Sequence, residues 1–386
     1  MKKTILFVHQ SADLYGSDRV LLALVTRLPR ERFLPIVALP VDGPLVAELQ
    51  AAGVECHVLP VARLSRATLS LRGLLGLPAD LAQSLRAFQR ALHGRQVDLV
   101  HSNTLAVLSG AIWARWRRVP HVWHVHEIII HPRFVRKAYA WLLGWFASRI
   151  ICVSRATEDN LLQDKPALAR KTRVVWNGLA REASVDVDEV RAYRHSVGTQ
   201  DGDVLIALLG RINRLKGQRI LVRAAGILWE QGVRNLRFVI VGSAVPGQEH
   251  FLNALQQEID ASPARQCFVL QPFARNVWSI LDACDMTVIP STEPESFGMV
   301  ALEAMAASRP VIAANHGGLA EIVVQGETGL LVPPGNMVAL ADGIRQLAAD
   351  VDLRRQMGES GLARFRNEFT LGRHVESITR VYEEAL

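Results

Sequence analysis

Cysteine is scarce: Cys56, Cys152, Cys267 and Cys284 are scattered through 386 residues, with no C-x-x-C pair and no Cys/His cluster at zinc spacing. The thiols therefore read as reduced and mostly buried. Long apolar runs are missing as well. The longest, Ala138 to Val153, contains Arg149 and falls short of the roughly 20 residues a spanning helix needs. The opening MKKTILFVHQ has too short an apolar run and no small-residue cleavage site for a signal sequence, so it reads as a first strand. The expected address is the cytoplasm. No repeat of fixed period and no low-complexity tract occur, and the absence of an RRM or KH signature leaves nucleic acid without support as a partner.

What is present is material for two cores. The length is two to three times that of a single domain of roughly 100 to 200 residues, and 49% hydrophobic with 21% charged residues excludes a disordered scaffold. Charge is divided unevenly. Residues 1–180 carry 24 basic and 12 acidic side chains (+12), whereas residues 181–386 carry 20 and 25 (−5). Such asymmetry points to an anionic partner on the N-terminal half.

Short β-branched runs alternate with longer amphipathic stretches, the pattern of βαβ units. Strands are expected at 4–9, 33–40, 54–60, 98–103, 121–127, 149–154 and 173–178, then at 203–210, 236–242, 267–271, 286–291, 310–314 and 328–333. These make an α/β chain of two doubly wound parallel sheets facing across a cleft. The expected division is an N-terminal domain over 1–180, a linker over 181–202 with a polar helix near Val187 to Val197, and a C-terminal domain over 203–366. The tail, 367–386, is expected to be a helix returning to the first domain. Ligands of open parallel sheets bind beyond the carboxyl ends of the strands, so the chemistry is sought there.

Four segments qualify. PSTEPESFGMVALEAMA places Glu295 in a loop and Glu303 almost two turns into a helix beginning near Phe297. The amides at such a helix start favour anionic or hydroxyl-rich ligands. By themselves the glutamates fit equally well a charge complementing the dipole and a solvated helix residue. GRINRLKGQ puts Arg211 just past a strand end and Lys216 before the next helix; two fixed cations there suit a diphosphate, although an ordinary basic loop has the same look. The glycine spacing is not that of a P-loop. HVWHVHE carries His124, His126 and Glu127, a metal pair in principle but one lacking a third ligand nearby. LYGSD follows the first strand with Gly16 and offers Ser17 or Asp18 as a helix cap.

Taken together, in this order and spacing, the segments resemble the retaining glycosyltransferases of the GT-B fold, family 4 (glycosyl transferases group 1). The likeness spans the chain. Its most specific pieces are the two glutamates with seven residues between them, Arg211 and Lys216 of GRINRLKG, and the glycine pair and Glu321 of HGGLAEIV followed by TGLLVPPGN. The resemblance implies two Rossmann-like domains, with a UDP- or GDP-linked sugar on the second and a glycan or lipid-linked acceptor on the first. It implies that Arg211 and Lys216 neutralise the leaving diphosphate, that Glu303 binds ribose hydroxyls and that Glu295 contacts the sugar. The amides of Phe297, Gly298, Met299 and Val300 would complete a phosphate cradle, and His126 would hydrogen-bond the sugar near the anomeric centre. Gly16 would let the first loop approach the diphosphate; Ser17 stands where many relatives have a second glycine. With no carboxylate pair placed to flank a glycosidic bond and no D-x-D, Asp282 and Asp285 being read as a helix end before a strand, the reaction implied is front-face and free of metal or other cofactor. Rival readings are a non-catalytic nucleotide-sugar or glycan-binding protein and a sugar-nucleotide epimerase.

Five of the eight tryptophans (Trp113, Trp116, Trp123, Trp141, Trp145) lie between 113 and 146 among Arg115, Arg117, Arg118, Arg133, Arg136 and Lys137, and residues 61–78 add Arg63, Arg66 and Arg72 among leucines. Interleaved tryptophan and basic residues suit an anionic headgroup layer, so peripheral docking on the inner face of the plasma membrane, in lipopolysaccharide or polysaccharide assembly, is the expectation. Core packing of the tryptophans is the competing one.

Overall fold

The computed structural model describes residues 2–64, 68, 70–181, 185–274 and 276–386, with the side chains at 71, 72 and 74 outside that description. Arg66 and the Arg72 side chain of the second basic stretch thus lie outside the described residues. The chain divides into two compact units, Met1–Gly178 with Leu371–Leu386, and Leu179–Thr370.

The first unit holds β1 (Lys3–Val8), β2 (Phe33–Leu39), β3 (Glu55–Val58), β4 (Leu99–Asn103), β5 (His121–Val125), β6 (Arg149–Cys152) and β7 (Thr172–Val174) in the order β3-β2-β1-β4-β5-β6-β7. The second holds β8 (Val204–Leu209), β9 (Leu236–Val241), β10 (Phe268–Gln271), β11 (Met286–Ile289), β12 (Val311–Ala314) and β13 (Gly329–Val332) in the order β10-β9-β8-β11-β12-β13. Among the described residues the strands of both sheets pair in parallel. Strands covered on both faces need apolar side chains in both directions, which is why they read as unbroken β-branched runs. Each expected strand is present, its ends shifted by a few residues. Chain order reverses between β1 and β4 in one sheet and between β8 and β11 in the other, and these switch points open a crevice at the carboxyl edge.

The helix Leu371–Ala385 belongs to the first unit, where Val375, Ile378, Val381 and Tyr382 join the core around Ile5 and Phe7. The Tyr382 hydroxyl lies 2.8 Å from His101 Nδ1. The helix Val187–Ser196 counts with the second unit. Tyr193 donates to Gln271 (2.7 Å) and Arg194 reaches Asp285 (3.0 Å), tying that helix to the sheet's edge. Asp282 ends the helix Trp278–Ala283 and takes the Arg181 guanidinium, while Asp285 also accepts from the Leu205 amide at 2.7 Å. All four cysteines are free thiols; three are buried and Cys56 is half-buried. Among the described residues no helix is long and apolar enough to cross a membrane.

Candidate active site

In the second unit the polar residues gather at the β8–β11 switch point and just past the end of neighbouring β12. Gly210 leaves β8 at φ 151, Arg211 follows with an exposed side chain, and the Arg211 carbonyl accepts from Gln218 Nε2 at 2.8 Å. Gly217 turns the chain into the helix Gln218–Glu230 at φ 73, and a Cβ there would run into the Pro290 carbonyl past β11. That close approach brings Lys216 against the second loop: its Nζ lies 2.8 Å from Glu295 Oε1. Ser291 Oγ donates to the same carboxylate oxygen, and His316 Nε2–H donates to the Ser291 carbonyl at 2.9 Å. Burial alone would raise Glu295, but the Lys216 charge, its hydrogen bond and that of Ser291 hold the carboxyl below its ordinary value. The glycine pair after His316 explains itself in the same way. Gly317 takes φ 59 beneath the Glu295 backbone, and Gly318 N–H donates to the Glu295 carbonyl at 2.7 Å.

The adjoining helix is Met299–Ala306, not one beginning near Phe297. Gly298 at φ 121 breaks the helical path, so Glu303 stands one turn in rather than almost two. A Cβ on Gly298 would come within 2.5 Å of Leu319 Cδ2. Phe297 is buried, its ring edge-on to Phe369, while Met299, Val300 and Glu303 are half-buried. The first amides of this helix have no preceding turn to donate to and carry the positive end of its dipole.

The first unit repeats the arrangement at its own switch point. His9, beyond β1, has Nε2 2.6 Å from Asp18 Oδ1, and Ser11 Oγ donates to the same oxygen at 2.6 Å. Asp18 Oδ2 accepts from the Tyr15 amide at 2.8 Å, so Asp18, not Ser17, secures the start of the helix Gly16–Arg27. Burial would raise this carboxyl, but the His9 and Ser11 bonds keep it low. Asn103, ending β4, bridges His9 Nδ1 (3.1 Å) and His126 Nε2 (2.9 Å). His126 lies just past β5, half-buried, and burial together with nearby His9 and His374 depresses it to about 3, so it is neutral. Glu127 Oε2 accepts from the Leu105 and His126 amides (3.1 and 3.0 Å), while burial pushes its carboxyl up to about 7. A Cβ built on Gly16 meets nothing within 4 Å. The His124 ring lies 4.1 Å from that of His126, tilted by 39°, but is buried in the strand, and no group of three or more residues that could hold a metal is found among the described residues.

Lys216, Glu295 and His126 stand out in the sequence, whereas Ser291, His9 and Asn103 do not, their one signal being a polar residue at or just beyond a strand end. The tryptophans divide. Trp113 and Trp123 are core, whereas Trp116, Trp141 and Trp145 are exposed. Arg136 is taken up by Asp164 and Gln163, and Arg63 donates to the Gln10 carbonyl at 2.8 Å.

Two doubly wound units, each with polar residues converging at its switch point, define the class of two-domain enzymes with the GT-B fold. The family model "Glycosyltransferase Family 4" matches residues 15–182 and "Glycosyl transferases group 1" matches 189–364. D-inositol 3-phosphate glycosyltransferase of Kribbella flavida is 32% identical over 315 residues, 74% of this chain and 72% of that protein. The enzyme of the same description from Corynebacterium urealyticum is 36% identical over 304 residues, 73% and 71% of the two chains. The crystal structure of Anabaena Alr3699/HepE in complex with UDP and glucose superposes with a TM-score of 0.84 at 25% identity, covering 98% of this chain and 99% of that one. The chain belongs to the group 1, family 4 glycosyltransferases of GT-B fold. It is a glycosyltransferase, and the rival readings as a binding protein or an epimerase are not favoured.

Proposed function

We propose that this glycosyltransferase is a retaining enzyme that takes a sugar from a nucleoside diphosphate, most simply UDP, and passes it to a glycan or lipid-linked acceptor. The observation that carries the reading is the Lys216–Glu295 pair at 2.8 Å, beside the positive end of the helix Met299–Ala306. The UDP held by Anabaena Alr3699/HepE supports the choice of donor. In this reading Lys216 and Arg211 meet the charge that builds on the departing diphosphate, and the amides at Gly298, Met299 and Val300 add the helix dipole. Glu303 takes the ribose hydroxyls, Glu295 and His126 take sugar hydroxyls, and the open space at Gly16 admits the diphosphate. The leaving phosphate itself receives the acceptor's proton on the face it departs from, so no protein base is needed. A divalent ion has no role assigned. Two cations already answer the charge, and Asp282 and Asp285 are engaged by Arg181 and Arg194.

The test is binding and product analysis. Lys216→Ala and Arg211→Ala each remove a charge-assisted contact of roughly 1.5–3 kcal/mol and should weaken UDP about tenfold or more by calorimetry. Unchanged affinity in both rejects the donor site. Thermal shift against UDP, GDP and ADP identifies the base, since a ligand stabilises by mass action. An inverted anomeric centre in the NMR spectrum of the product rejects retention.

For the acceptor side, we infer docking on an anionic bilayer. Phe134, Trp141 and Trp145 lie 65%, 62% and 79% exposed on one face of the helix Arg133–Phe146, with Lys137 on the same stripe and Lys165 4.0 Å over the Trp141 ring. Exposed tryptophans next to cations suit a headgroup layer. Flotation with phosphatidylglycerol vesicles, and its loss in Trp141→Ser/Trp145→Ser, is expected; failure of the unaltered protein to float leaves a soluble acceptor.

A further inference from the structure

A hydrogen-bonded line runs from the first helix of the first unit to His126, and its proton positions are fixed by two groups that can only accept. The Asp18 carboxylate is one, so the nitrogen 2.6 Å away, His9 Nε2, carries a proton. The Ser17 carbonyl is the other. Asn103 Nδ2 lies 3.4 Å from it and 3.1 Å from His9 Nδ1, so that end of the amide is the NH2 group. His9 Nδ1 is also 3.2 Å from the Asn103 carbonyl. A neutral His9 accepts from Nδ2, a cationic one donates to the carbonyl, and the amide faces the same way in either state. Asn103 Oδ1 is then the atom 2.9 Å from His126 Nε2, and it must receive that proton.

The geometry points to Asn103, backed by His9 and Asp18, as a positioning residue that locks His126 in its Nε2–H tautomer and leaves Nδ1 as a lone-pair acceptor for a donor hydroxyl of the transferred sugar. This rests on the reading of His126 as a sugar contact. The support behind Asn103 is rigid. Its side chain is buried, and the next residue, Thr104, is held at φ 90, a conformation non-glycine residues avoid. Thr104 N–H donates to the His124 carbonyl (2.9 Å) and the buried Trp123 indole donates to the Thr104 carbonyl (2.8 Å), so the strain is tied down from two sides. Because the imidazole is neutral, the tautomer decides whether the sugar meets an acceptor or a donor.

Full-length protein with isotope-labelled histidine reports the tautomer in long-range proton–nitrogen spectra. His126 should carry its proton on Nε2 in the unaltered protein and in Asn103→Asp, where a carboxylate still accepts and should raise the imidazole pKa by roughly one to three pH units. In Asn103→Leu the Nδ1–H form should appear. A native His126 protonated on Nδ1, an Nε2–H form that survives Asn103→Leu unchanged, or a pKa that does not move in Asn103→Asp each overturns the assignment. The last of these decides the matter if the Leu variant does not fold. The affinity ratio of UDP-glucose to UDP reads the sugar contact separately and should fall about tenfold in His126→Ala and by less in Asn103→Leu, with UDP affinity unmoved. A ratio unchanged in His126→Ala overturns the sugar contact, and with it the purpose given to Nδ1, even when the spectra show the expected tautomer.

Discussion

At the scale of single residues, the Lys216–Glu295 pair is where stability and donor binding pull against each other. Its side chains are 28% and 15% exposed, between a surface ion pair worth about 0–1 kcal/mol and a buried one whose breaking costs roughly 3–5 kcal/mol. Lys216→Met should therefore destabilise the second unit by about 1–3 kcal/mol, because Glu295 keeps Ser291 but loses its cation. Glu295→Gln in the same chain removes the stranded charge and should return most of that loss. Urea unfolding of the two single variants and the double variant measures the coupling, and strict additivity would sink the pairing. The sign with pH follows from the depressed carboxyl. The pair's contribution is present above the ordinary glutamate range and is lost as pH falls through the lower folded-state value.

At the scale of elements, the helix Leu371–Ala385 contributes to the unit in which the chain began. Val375, Ile378, Val381 and Tyr382 are buried in the core cluster that also holds Ile5, Phe7 and Phe33, and each such burial is worth roughly 1.5–3 kcal/mol. Deleting 371–386 should then remove on the order of 6–12 kcal/mol, as much as a domain's whole stability, and leave the first unit unfolded by circular dichroism and proteolysis. Tyr382→Phe is the mild counterpart. It takes the hydroxyl from His101 Nδ1 and should cost about 1–2 kcal/mol. Elements of this kind were legible in the sequence to different degrees. The strands were plain because a parallel strand buried on both faces has no polar residue to interrupt it. The start of the helix Met299–Ala306 was misplaced because periodicity does not register that Gly298 leaves the helical region. Lys216 and Glu295 were readable as charges beside strand ends. His9 and Asn103 were not, since each looks like the last residue of a strand and their contact joins positions 94 apart.

At the scale of the whole molecule, the two units differ in what acid does to them. The first buries His101, His121, His124 and His374 and half-buries His126, all depressed chiefly by loss of water around the ring, with His121 and His126 at about 3 and His374 at about 4. An unfolded chain takes up protons on these side chains below about pH 6.5 while the folded unit does not, so stability is full above that pH and falls as pH drops toward the folded values. Each costs about 1.4 kcal/mol at one unit below the unfolded value. Glu127 runs the other way. Raised to about 7, it favours the folded state as pH falls from there to the ordinary glutamate range, offsetting about one histidine. The net for the first unit at pH 5.5 is on the order of 5 kcal/mol, comparable with a domain's entire stability. In the second unit the depressed histidine among the described residues is His316, and Glu295 begins to matter only as pH falls below the ordinary glutamate range. Calorimetry between pH 7.5 and about 5 should therefore resolve two transitions, the first unit's moving down steeply and the second's little. His374→Gln or His121→Gln should flatten the steep one without touching the other. Transitions that descend together, or a first-unit slope indifferent to both substitutions, would mean that the buried imidazoles are not what makes that half of the molecule sensitive to acid.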